Sequence, residues 1–364
     1  MYATSKSDSW GRLCPGHVGH SAYHCPGRSN RLRDLRIECV EVAGSTLLVC
    51  YRSDVSRRIV KALDTDVAKD ATARIEAAIR EAWGIVPNAV HDHAGGMNSR
   101  TWVVTTGDRR WVAKAVPADA RVRFGSGLAV AAIVDAAGIP AGVPEPTRDG
   151  RTWISIDDQV LALLRFVDGD GLVGDEAEEQ GLIGSTLARA HQALIGAAVP
   201  GTATFHSPDA DAAHLDVEPW VRPAVRDAIE AYDALPPATL TFGLLHSDPA
   251  PEAFLFDARS RTCGLIDWDT GLVGPLMYDV ASAVMYLGGS ARANSFLDAY
   301  LAVGTISPTE LDRSLAPMLR LRWAVQADYF AHRLATNDLT GIADARDNRK
   351  GLDDARRAMC ALEP

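Results

Sequence analysis

The sequence has no apolar run long enough to cross a membrane. The longest stretches, near Val280–Leu287 and Val160–Val167, fall far short of the roughly 20 residues that a membrane-spanning helix requires. The N-terminus carries polar and charged residues where a secretory signal would have an apolar segment. We therefore expect a cytoplasmic protein with no membrane partner.

The chain also has fewer basic than acidic residues. Lys and Arg number 37 against 47 Asp and Glu, which leaves a formal net charge of -10 at pH 7. Proteins that bind nucleic acid hold its phosphates with clustered Lys and Arg. The charge balance therefore argues against a nucleic-acid partner and favours a small-molecule ligand.

Cysteines are few and unevenly placed. Four of the six lie within the first fifty residues, so the sequence does not predict a disulfide framework for the whole chain. A group of sulfur and nitrogen donors near the N-terminus invites a zinc interpretation: Cys14, His17, His20, His24 and Cys25. Their spacing matches no common zinc finger, so we do not predict a zinc site there.

The first part of the chain differs from the rest. Residues 1–69 are rich in Ser, Arg, Cys and His and show little periodicity apart from Val40–Tyr51, so we predict a poorly ordered extension. The remaining residues form ordinary globular sequence, with 47% hydrophobic residues over the whole chain. The length of 364 residues favours two domains or two lobes.

Residues 70–168 carry the pattern of a small sheet with helices. Apolar residues at helical spacing predict an amphipathic helix over Ala71–Trp83. The Ala-rich segment Phe124–Ala137 predicts another helix, ended by Gly138 and Pro140. Strands are predicted at Thr101–Thr106, Arg110–Val116, Thr152–Ile156 and Val160–Val167.

Residues 169–364 carry a mainly helical pattern. Long helices are predicted at Glu176–Leu194 and Val221–Leu235, and the tail from Val280 is again helical. Short strands near Gly243–Leu245 and Gly264–Ile266 interrupt them. The fold class is therefore α+β, with a sheet-bearing lobe followed by a larger helical lobe.

Two acidic residues follow those short strands. Asp248 comes after the first and Asp267 ends the second, so both can converge on one nucleotide. A carboxylate placed as Asp248 can orient an acceptor hydroxyl and accept its proton. Asp267 is a candidate Mg²⁺ ligand, because this hard cation binds one or two carboxylates together with phosphate oxygens.

The surrounding residues resemble the aminoglycoside phosphotransferase family, a branch of the protein-kinase-like superfamily. The resemblance covers about residues 70–364 and rests on three signatures in order: His246-Ser247-Asp248, Ile266-Asp267-Trp268, and the segment from Gly274 to Ala281 with its Tyr278-Asp279 pair. It implies a two-lobed kinase-like fold with a small antiparallel sheet and one helix in the first lobe. It also implies transfer of the γ-phosphoryl group of ATP, or alternatively GTP, to a small-molecule hydroxyl with Mg²⁺.

The resemblance extends to residues of the first lobe. Lys114 ends a strand as the phosphate-contacting lysine of such folds does. The turn that contains Asn98 and Ser99 resembles a phosphate-covering loop, and Phe166 and Val167 resemble the hinge whose backbone binds adenine. These residues are the expected nucleotide-binding set.

Supporting roles are expected for other residues near the acids. The resemblance implies that His246 braces the catalytic loop and that Asp279 accepts hydrogen bonds from the backbone of that loop. His191, on the preceding helix, is interpreted as a packing residue with satisfied hydrogen bonds.

The sequence departs from the family pattern in two places. Ala253 stands where the family has a second metal ligand, an Asn, and Glu252 is either its replacement or a solvent-facing acid. The helix that should supply a glutamate partner for Lys114 contains no Glu. Two hypotheses therefore remain: a small-molecule kinase, and a kinase-like nucleotide-binding regulator with weak or no transfer. Aminoglycosides, homoserine, choline and fructosamines are all admissible acceptors.

Overall fold

The computed structural model describes residues 35–42, 45–52, 71–93, 99–268, 271–342 and 344–362. Strands β1 (Leu35–Val42) and β2 (Ser45–Arg52) form an antiparallel hairpin, which belongs to the first of two units of the chain, Met1–Ala71 and Thr72–Pro364. The hairpin lies within residues 1–69, for which we predicted a poorly ordered extension, and its β-branched residues favour extended backbone. The candidate zinc ligands lie outside the described residues.

The smaller lobe of the second unit contains a five-stranded antiparallel sheet with the order β3-β4-β5-β7-β6. Its strands are β3 (Ala89–His93), β4 (Arg100–Thr106), β5 (Arg109–Pro117), β6 (Ile154–Ile156) and β7 (Gln159–Arg165). The sequence analysis missed β3, because this mostly exposed edge strand lacks an apolar alternation that would reveal it.

One helix packs on each face of this sheet, whereas the family resemblance implied one helix in all. Helix α1 (71–83) contributes Ile75, Ile79 and Trp83 to a core with Trp102 and Trp111. Helix α2 (Arg121–Ala136) covers the opposite face through Phe124 and Leu128. Alternate residues of β5 and β7 enter the two cores, as the twofold periodicity of a strand requires.

The larger lobe is mainly helical. Its helices are α3 (Ala177–Leu194), α4 (Val221–Asp233), α5 (Met277–Tyr286), α6 (Asn294–Val303), α7 (Pro308–Thr336) and α8 (Ala345–Ala361). Helices α3, α5 and α6 share the main core, and Gly184 of α3 lies where the backbone of α6 approaches closely. Helix α8 packs with α4 and α7 in a second core.

Short strands within the larger lobe position its loops. They are β8 (Asp170–Gly171), β9 (Ala203–Thr204), β10 (Phe242–Leu245), β11 (Phe254–Asp257), β12 (Thr262–Leu265) and β13 (Leu272–Pro275). Two small sheets result, with the orders β10-β13-β9 and β12-β11-β8. The segment around Asp248 therefore joins β10 to β11, and Asp267 follows β12.

Helix α7 is the longest element and runs past the end of α5. Its first turn is capped by the Ser307 hydroxyl, which accepts a hydrogen bond from the Glu310 backbone N–H at 3.1 Å. The packing of α5 on α7 brings the middle of α7 to the loop that contains Asp248. Every helix in the described ranges is too short or too polar to serve as a membrane span.

Candidate active site

The backbone of the loop after β10 is held by one buried carboxylate. Asp279, in the first turn of α5, accepts hydrogen bonds from the backbone N–H groups of His246 at 2.6 Å and Ser247 at 2.8 Å. The same carboxylate accepts a bond from Nε2 of His191 at 2.9 Å, and Nδ1 of His191 accepts one from the Tyr300 hydroxyl at 2.7 Å. Because each buried polar group has a partner, this network fixes the loop at low cost.

The side chain of His246 links the loop to the strand that precedes Asp267. Its Nε2 lies 2.8 Å from the carbonyl oxygen of Ile266, so Nε2 carries the proton. The imidazole ring packs edge-on against Trp268, with the ring centroids 4.7 Å apart. The backbone N–H of Ile266 also donates to the carbonyl of Ala253 at 2.9 Å. Both ends of the loop are therefore tied to the segment that contains Asp267.

Two residues of the site have left-handed backbone conformations. Ser247 has a φ of 72° and Asp267 a φ of 76°. The left-handed region costs a non-glycine residue roughly 1–2 kcal/mol, although Asp tolerates it better than most. Glycine is the residue that this conformation favours, and Ser247 adopts it although it carries a side chain. Both strained residues lie in the loops that carry Asp248 and Asp267, and backbone strain of this kind is often found at functional sites.

Asp248 lies at the surface of the site and is held from one side. Its side chain is 65% exposed, and its Oδ1 accepts hydrogen bonds from the Tyr286 hydroxyl and from the Arg322 guanidinium at 3.3 Å. Arg322 is buried in the middle of α7 and also donates to Ser282 Oγ at 3.0 Å. One carboxylate oxygen of Asp248 is thus engaged by the protein, which orients the carboxylate.

Arg322 stays protonated although it is buried. Burial disfavours the charged guanidinium, but the nearby Tyr278, Tyr286 and Asp248 outweigh burial and raise the pKa of Arg322. Burial, followed by the Asp248 charge, raises the pKa of Tyr286 despite the opposing effect of Arg322. Tyr286 therefore remains a neutral hydrogen-bond donor to Asp248 throughout the physiological pH range.

Lys114 connects the two lobes. It lies in β5, its side chain is only 8% exposed, and its Nζ forms an ion pair with Oδ1 of Asp267. The sequence analysis found no glutamate partner for this lysine on α2, and the structure supplies the metal-ligand candidate as its partner instead. This contact brings a cation of the small lobe to the loop that adjoins Asp248.

The residues at the expected second metal position differ in their environments. The side chain of Ala253 is buried, whereas that of Glu252 is exposed. Its carboxylate and that of Asp267, which is 58% exposed, have the oxygen chemistry that suits Mg²⁺ together with phosphate oxygens.

The described residues contain no cluster of His, Cys, Asp or Glu that would hold a metal by protein ligands alone. Mg²⁺ usually keeps waters and binds only one or two carboxylates together with substrate phosphates. The exposed carboxylate of Asp267 has the chemistry for that mode of binding.

Other residues that were predicted to bind nucleotide lie in the small lobe or directly after its last strand. Phe166 and Val167 follow β7, and the Arg110 guanidinium stacks over the Phe166 ring at 4.0 Å from its centroid. Ser99 immediately precedes β4, and β4 pairs with β5 so that Thr101 lies opposite Lys114. Asn98 lies outside the described residues, so its predicted position is not tested.

A cavity of about 490 Å³ is lined partly by Tyr286, whose hydroxyl contacts Asp248. It lies between α5, α7 and α8, and its lining residues are Met285, Tyr286, Trp323, Gln326, Asp354, Arg357 and Ala358. Tyr286, at the end of α5, lines this cavity and donates a hydrogen bond from its hydroxyl to Asp248. Neither Tyr286 nor Arg322 was predicted from the sequence, since no local signal shows that α5 and α7 meet the loop.

Comparisons with curated proteins find homoserine kinases. The chain is 28% identical to the homoserine kinase of Rhizobium johnstonii over 200 residues, which cover 51% of this chain and 61% of the relative. It is 30% identical to the homoserine kinase of Rhodospirillum rubrum over 151 residues, covering 39% of this chain and 46% of the relative. The matched region thus spans less than two thirds of either relative.

Solved structures of small-molecule kinases share the fold. An amicoumacin kinase in complex with AMP-PNP and Ca²⁺ aligns with a TM-score of 0.63 and 14% identity, covering 81% of this chain and 96% of that one. A microcompartment-associated aminopropanol kinase aligns with a TM-score of 0.61 and 16% identity, covering 80% of this chain and 96% of that one. These alignments confirm the predicted two-lobed, kinase-like fold.

The sequence model of one family matches residues 90–316, which include β5 with Lys114, the catalytic loop, Asp267 and α5. The match covers more than half of the chain and confirms the resemblance drawn from the three signatures. The chain belongs to the phosphotransferase enzyme family.

Proposed function

We propose that this chain is a kinase that transfers the γ-phosphoryl group of ATP to a hydroxyl group of a small molecule. The observation that carries the proposal is the ion pair between Lys114 and Asp267, which unites the small lobe with the loops of the large one. Asp248 is fixed beside that pair through the contacts of His246 with Ile266. Membership of the phosphotransferase enzyme family supports the same conclusion.

The residues divide the chemistry between them. The acceptor oxygen forms a bond to the γ-phosphorus as the bond from that phosphorus to the bridging oxygen of the leaving ADP breaks. The hydroxyl proton passes to the free side of the Asp248 carboxylate, since Oδ1 is engaged by Tyr286 and Arg322. Lys114 contacts a phosphate oxygen once nucleotide replaces Asp267 as its partner.

Mg²⁺, held by Asp267 and Glu252, would neutralise the charge of the phosphates as transfer proceeds. Glu252 in this role compensates for Ala253, which has no side-chain oxygen. Support for Glu252 comes from its exposed carboxylate next to Ala253, in the turn after Asp248. The AMP-PNP complex of the amicoumacin kinase makes ATP the first nucleotide to test, with GTP as the alternative.

The acceptor proposed first is a small amino alcohol. The curated relatives are homoserine kinases, and homoserine carries an amino and a hydroxyl group. The solved kinases with the same fold, which include an aminopropanol kinase and antibiotic kinases, are less than 20% identical and support the fold alone. Homoserine therefore precedes aminopropanol and aminoglycosides in an acceptor screen.

A regulator that binds nucleotide without transferring phosphate is the alternative. One specific observation favours it: the buried Ala253 replaces the family's second metal ligand. The two functions differ in a measurable way, because both predict nucleotide binding but only a kinase releases ADP in proportion to acceptor.

The test is acceptor-dependent ADP release by the purified protein in the presence of Mg²⁺. We expect release with at least one amino alcohol, and a loss of about 10³-fold or more in kcat for Asp248→Asn, because the variant cannot accept the proton. Asp233→Asn, an exposed residue at the end of α4, is the matched control and should behave as wild type. Full activity of Asp248→Asn would refute the role of Asp248.

Nucleotide binding is tested separately by thermal unfolding. Saturation at 100 times Kd stabilises a protein by about 2.7 kcal/mol, so binding of MgATP should raise the Tm of the wild type. Asp248→Asn should keep this increase, whereas Lys114→Met and Asp267→Asn should lose most of it. If Glu252→Ala abolishes the Mg²⁺-dependent part of the increase, Glu252 is a metal ligand; an unchanged increase would favour the regulator hypothesis.

A further inference from the structure

The cavity between α5, α7 and α8 is joined to the catalytic loop by one side chain. Tyr286 forms part of the cavity wall, and its hydroxyl donates to Oδ1 of Asp248. Helix α7 makes a similar connection, because its Arg322 contacts Asp248 and the neighbouring Trp323 lines the cavity. A molecule in this cavity would therefore have one end near the catalytic carboxylate.

The cavity is a groove that is largely open to solvent and has room for a small molecule. Its volume is about 490 Å³. Met285, Trp323 and Ala358 and the ring of Tyr286 provide apolar contact area. Such walls suit a short aliphatic chain, while polar groups at defined points orient it.

The charged residues of the cavity are one acid and one base. Asp354 and Arg357 both lie on α8 and form an ion pair with each other, and Asp354 also contacts Lys350 at 3.0 Å. Exposed pairs within one helix contribute little to stability, so ligand groups can replace them at small cost. Asp354 suits an ammonium group and Arg357 suits a carboxylate.

This charge pattern distinguishes between classes of acceptor. The lining residues carry no net charge, which does not suit an oligocationic amino sugar. A purely cationic amino alcohol would face the unopposed charge of Arg357, and a purely anionic hydroxy acid that of Asp354. A molecule with both groups satisfies both residues.

We propose that this cavity is the acceptor subsite and that it binds a short hydroxylated amino acid in its zwitterionic form. Arg357 binds the α-carboxylate, Asp354 binds the α-ammonium group, and the side-chain hydroxyl points past Tyr286 to Asp248. This inference rests on the proposed kinase function and adds the substrate class and the residues that select it.

Three probes separate the two charges. L-homoserine carries both groups, 3-amino-1-propanol lacks the carboxylate, and 4-hydroxybutyrate lacks the ammonium group. We expect the wild type to phosphorylate L-homoserine with a kcat/KM at least about tenfold above that for either other probe. Arg357→Gln should erase the preference over 3-amino-1-propanol, and Asp354→Asn the preference over 4-hydroxybutyrate. The KM for ATP should stay unchanged in both variants.

The chain offers a matched control for each variant on the same helix. Asp353→Asn and Arg356→Gln change the same charges at neighbouring positions that do not line the cavity, and both should keep the wild-type preferences. The inference is overturned if either cavity variant retains the wild-type preferences, or if the control variants change them equally.

Direct calorimetric binding of L-homoserine separates a failure of this inference from a failure of the proposed function. Binding to the wild type that Arg357→Gln and Asp354→Asn abolish, without ADP release, would support the subsite and refute the kinase function. Asp248-dependent phosphorylation of another acceptor, with no binding of L-homoserine, would refute the subsite and leave the kinase function standing.

Discussion

Replacement of Arg322 by Met tests how much the catalytic carboxylate depends on a buried cation. Arg322 donates to Ser282 Oγ at 3.0 Å, to the Tyr286 hydroxyl at 3.2 Å and to Asp248 Oδ1 at 3.3 Å. Methionine keeps most of the apolar volume but removes the charge and all of these donors. The change therefore isolates the polar contribution of Arg322.

The expected loss of stability is moderate. Ser282 and Tyr286 each keep one hydrogen-bond partner, Tyr278 O and Asp248 respectively, so neither hydroxyl is left without a partner. Each lost neutral bond costs about 1 kcal/mol, and the Asp248 contact adds about 1 kcal/mol or less because that side chain is mostly exposed. The variant also no longer has to bury a charged guanidinium, and the desolvation cost that it avoids offsets part of this loss of stability. We expect the free energy of unfolding to fall by about 1–3 kcal/mol.

The expected loss of activity is larger. Without Arg322 only Tyr286 holds Oδ1 of Asp248, and a misplacement of about 1 Å can cost about 10²-fold in rate. We expect kcat to fall by about 10–100-fold while the KM for ATP changes by less than about threefold, because Lys114 and Asp267 are positioned by other elements.

The assay is steady-state ADP release with the best acceptor from the screen, well below the Tm of the variant. Ser282→Ala is the control, because it removes one contact of Arg322 and leaves the contact with Asp248 in place. Arg322→Lys should recover part of kcat. A folded Arg322→Met variant with wild-type kcat would show that Asp248 needs no support from α7, and the reasoning would be wrong.

Three further predictions concern stability. Gly184→Ala should lower the free energy of unfolding by about 1–3 kcal/mol, because the added Cβ would lie 2.3 Å from a backbone oxygen of α6. Gly181→Ala in the same helix adds a Cβ that meets no atom within 4 Å, so this change should raise the free energy of unfolding by about 0.5–1 kcal/mol. Arg333→Met should cost about 2–3 kcal/mol in urea unfolding, since this buried guanidinium joins α7 to the connection before α8 through several hydrogen bonds. Asp338→Asn should destabilise the protein at pH 7, and the destabilisation should shrink as the pH falls through the folded pKa, because the backbone N–H of the following turn, together with Arg333, lowers the pKa of this carboxyl below its ordinary 3.8.

The sign of the pH effect follows from that lowered pKa. The ionised Asp338 stabilises the fold above the unfolded pKa, and this contribution is lost as the pH falls through the folded pKa. A destabilisation by Asp338→Asn that stays constant from pH 7 to pH 2 would contradict the assignment. Equal unfolding midpoints for Gly184→Ala and Gly181→Ala would contradict the close approach of α6, and an unchanged midpoint for Arg333→Met would contradict its structural role.

Local sequence was sufficient to predict the parts of the site that lie within short motifs. Asp248 and Asp267 each follow a short strand, and this arrangement along the chain was enough to predict that their carboxylates converge on one site. Helices α3 and α4 were predicted individually from periodicity, whereas the chain from Val280 onward was predicted to be helical without its separate helices. By contrast, the two-residue strands β8 and β9 were missed, since a strand of that length exists only through its partner.

Contacts between distant residues were decided by the tertiary structure. Lys114 and Asp267 are 153 residues apart, and Arg322 and Asp248 are 74 residues apart, so no periodicity or motif relates them. The sequence by itself determined which residue types were available, the elements that carry them and the family to which they belong. Only the packing of the lobes and of α5 on α7 decided which charges meet, because side-chain pairing depends on where elements dock and not on their spacing along the chain.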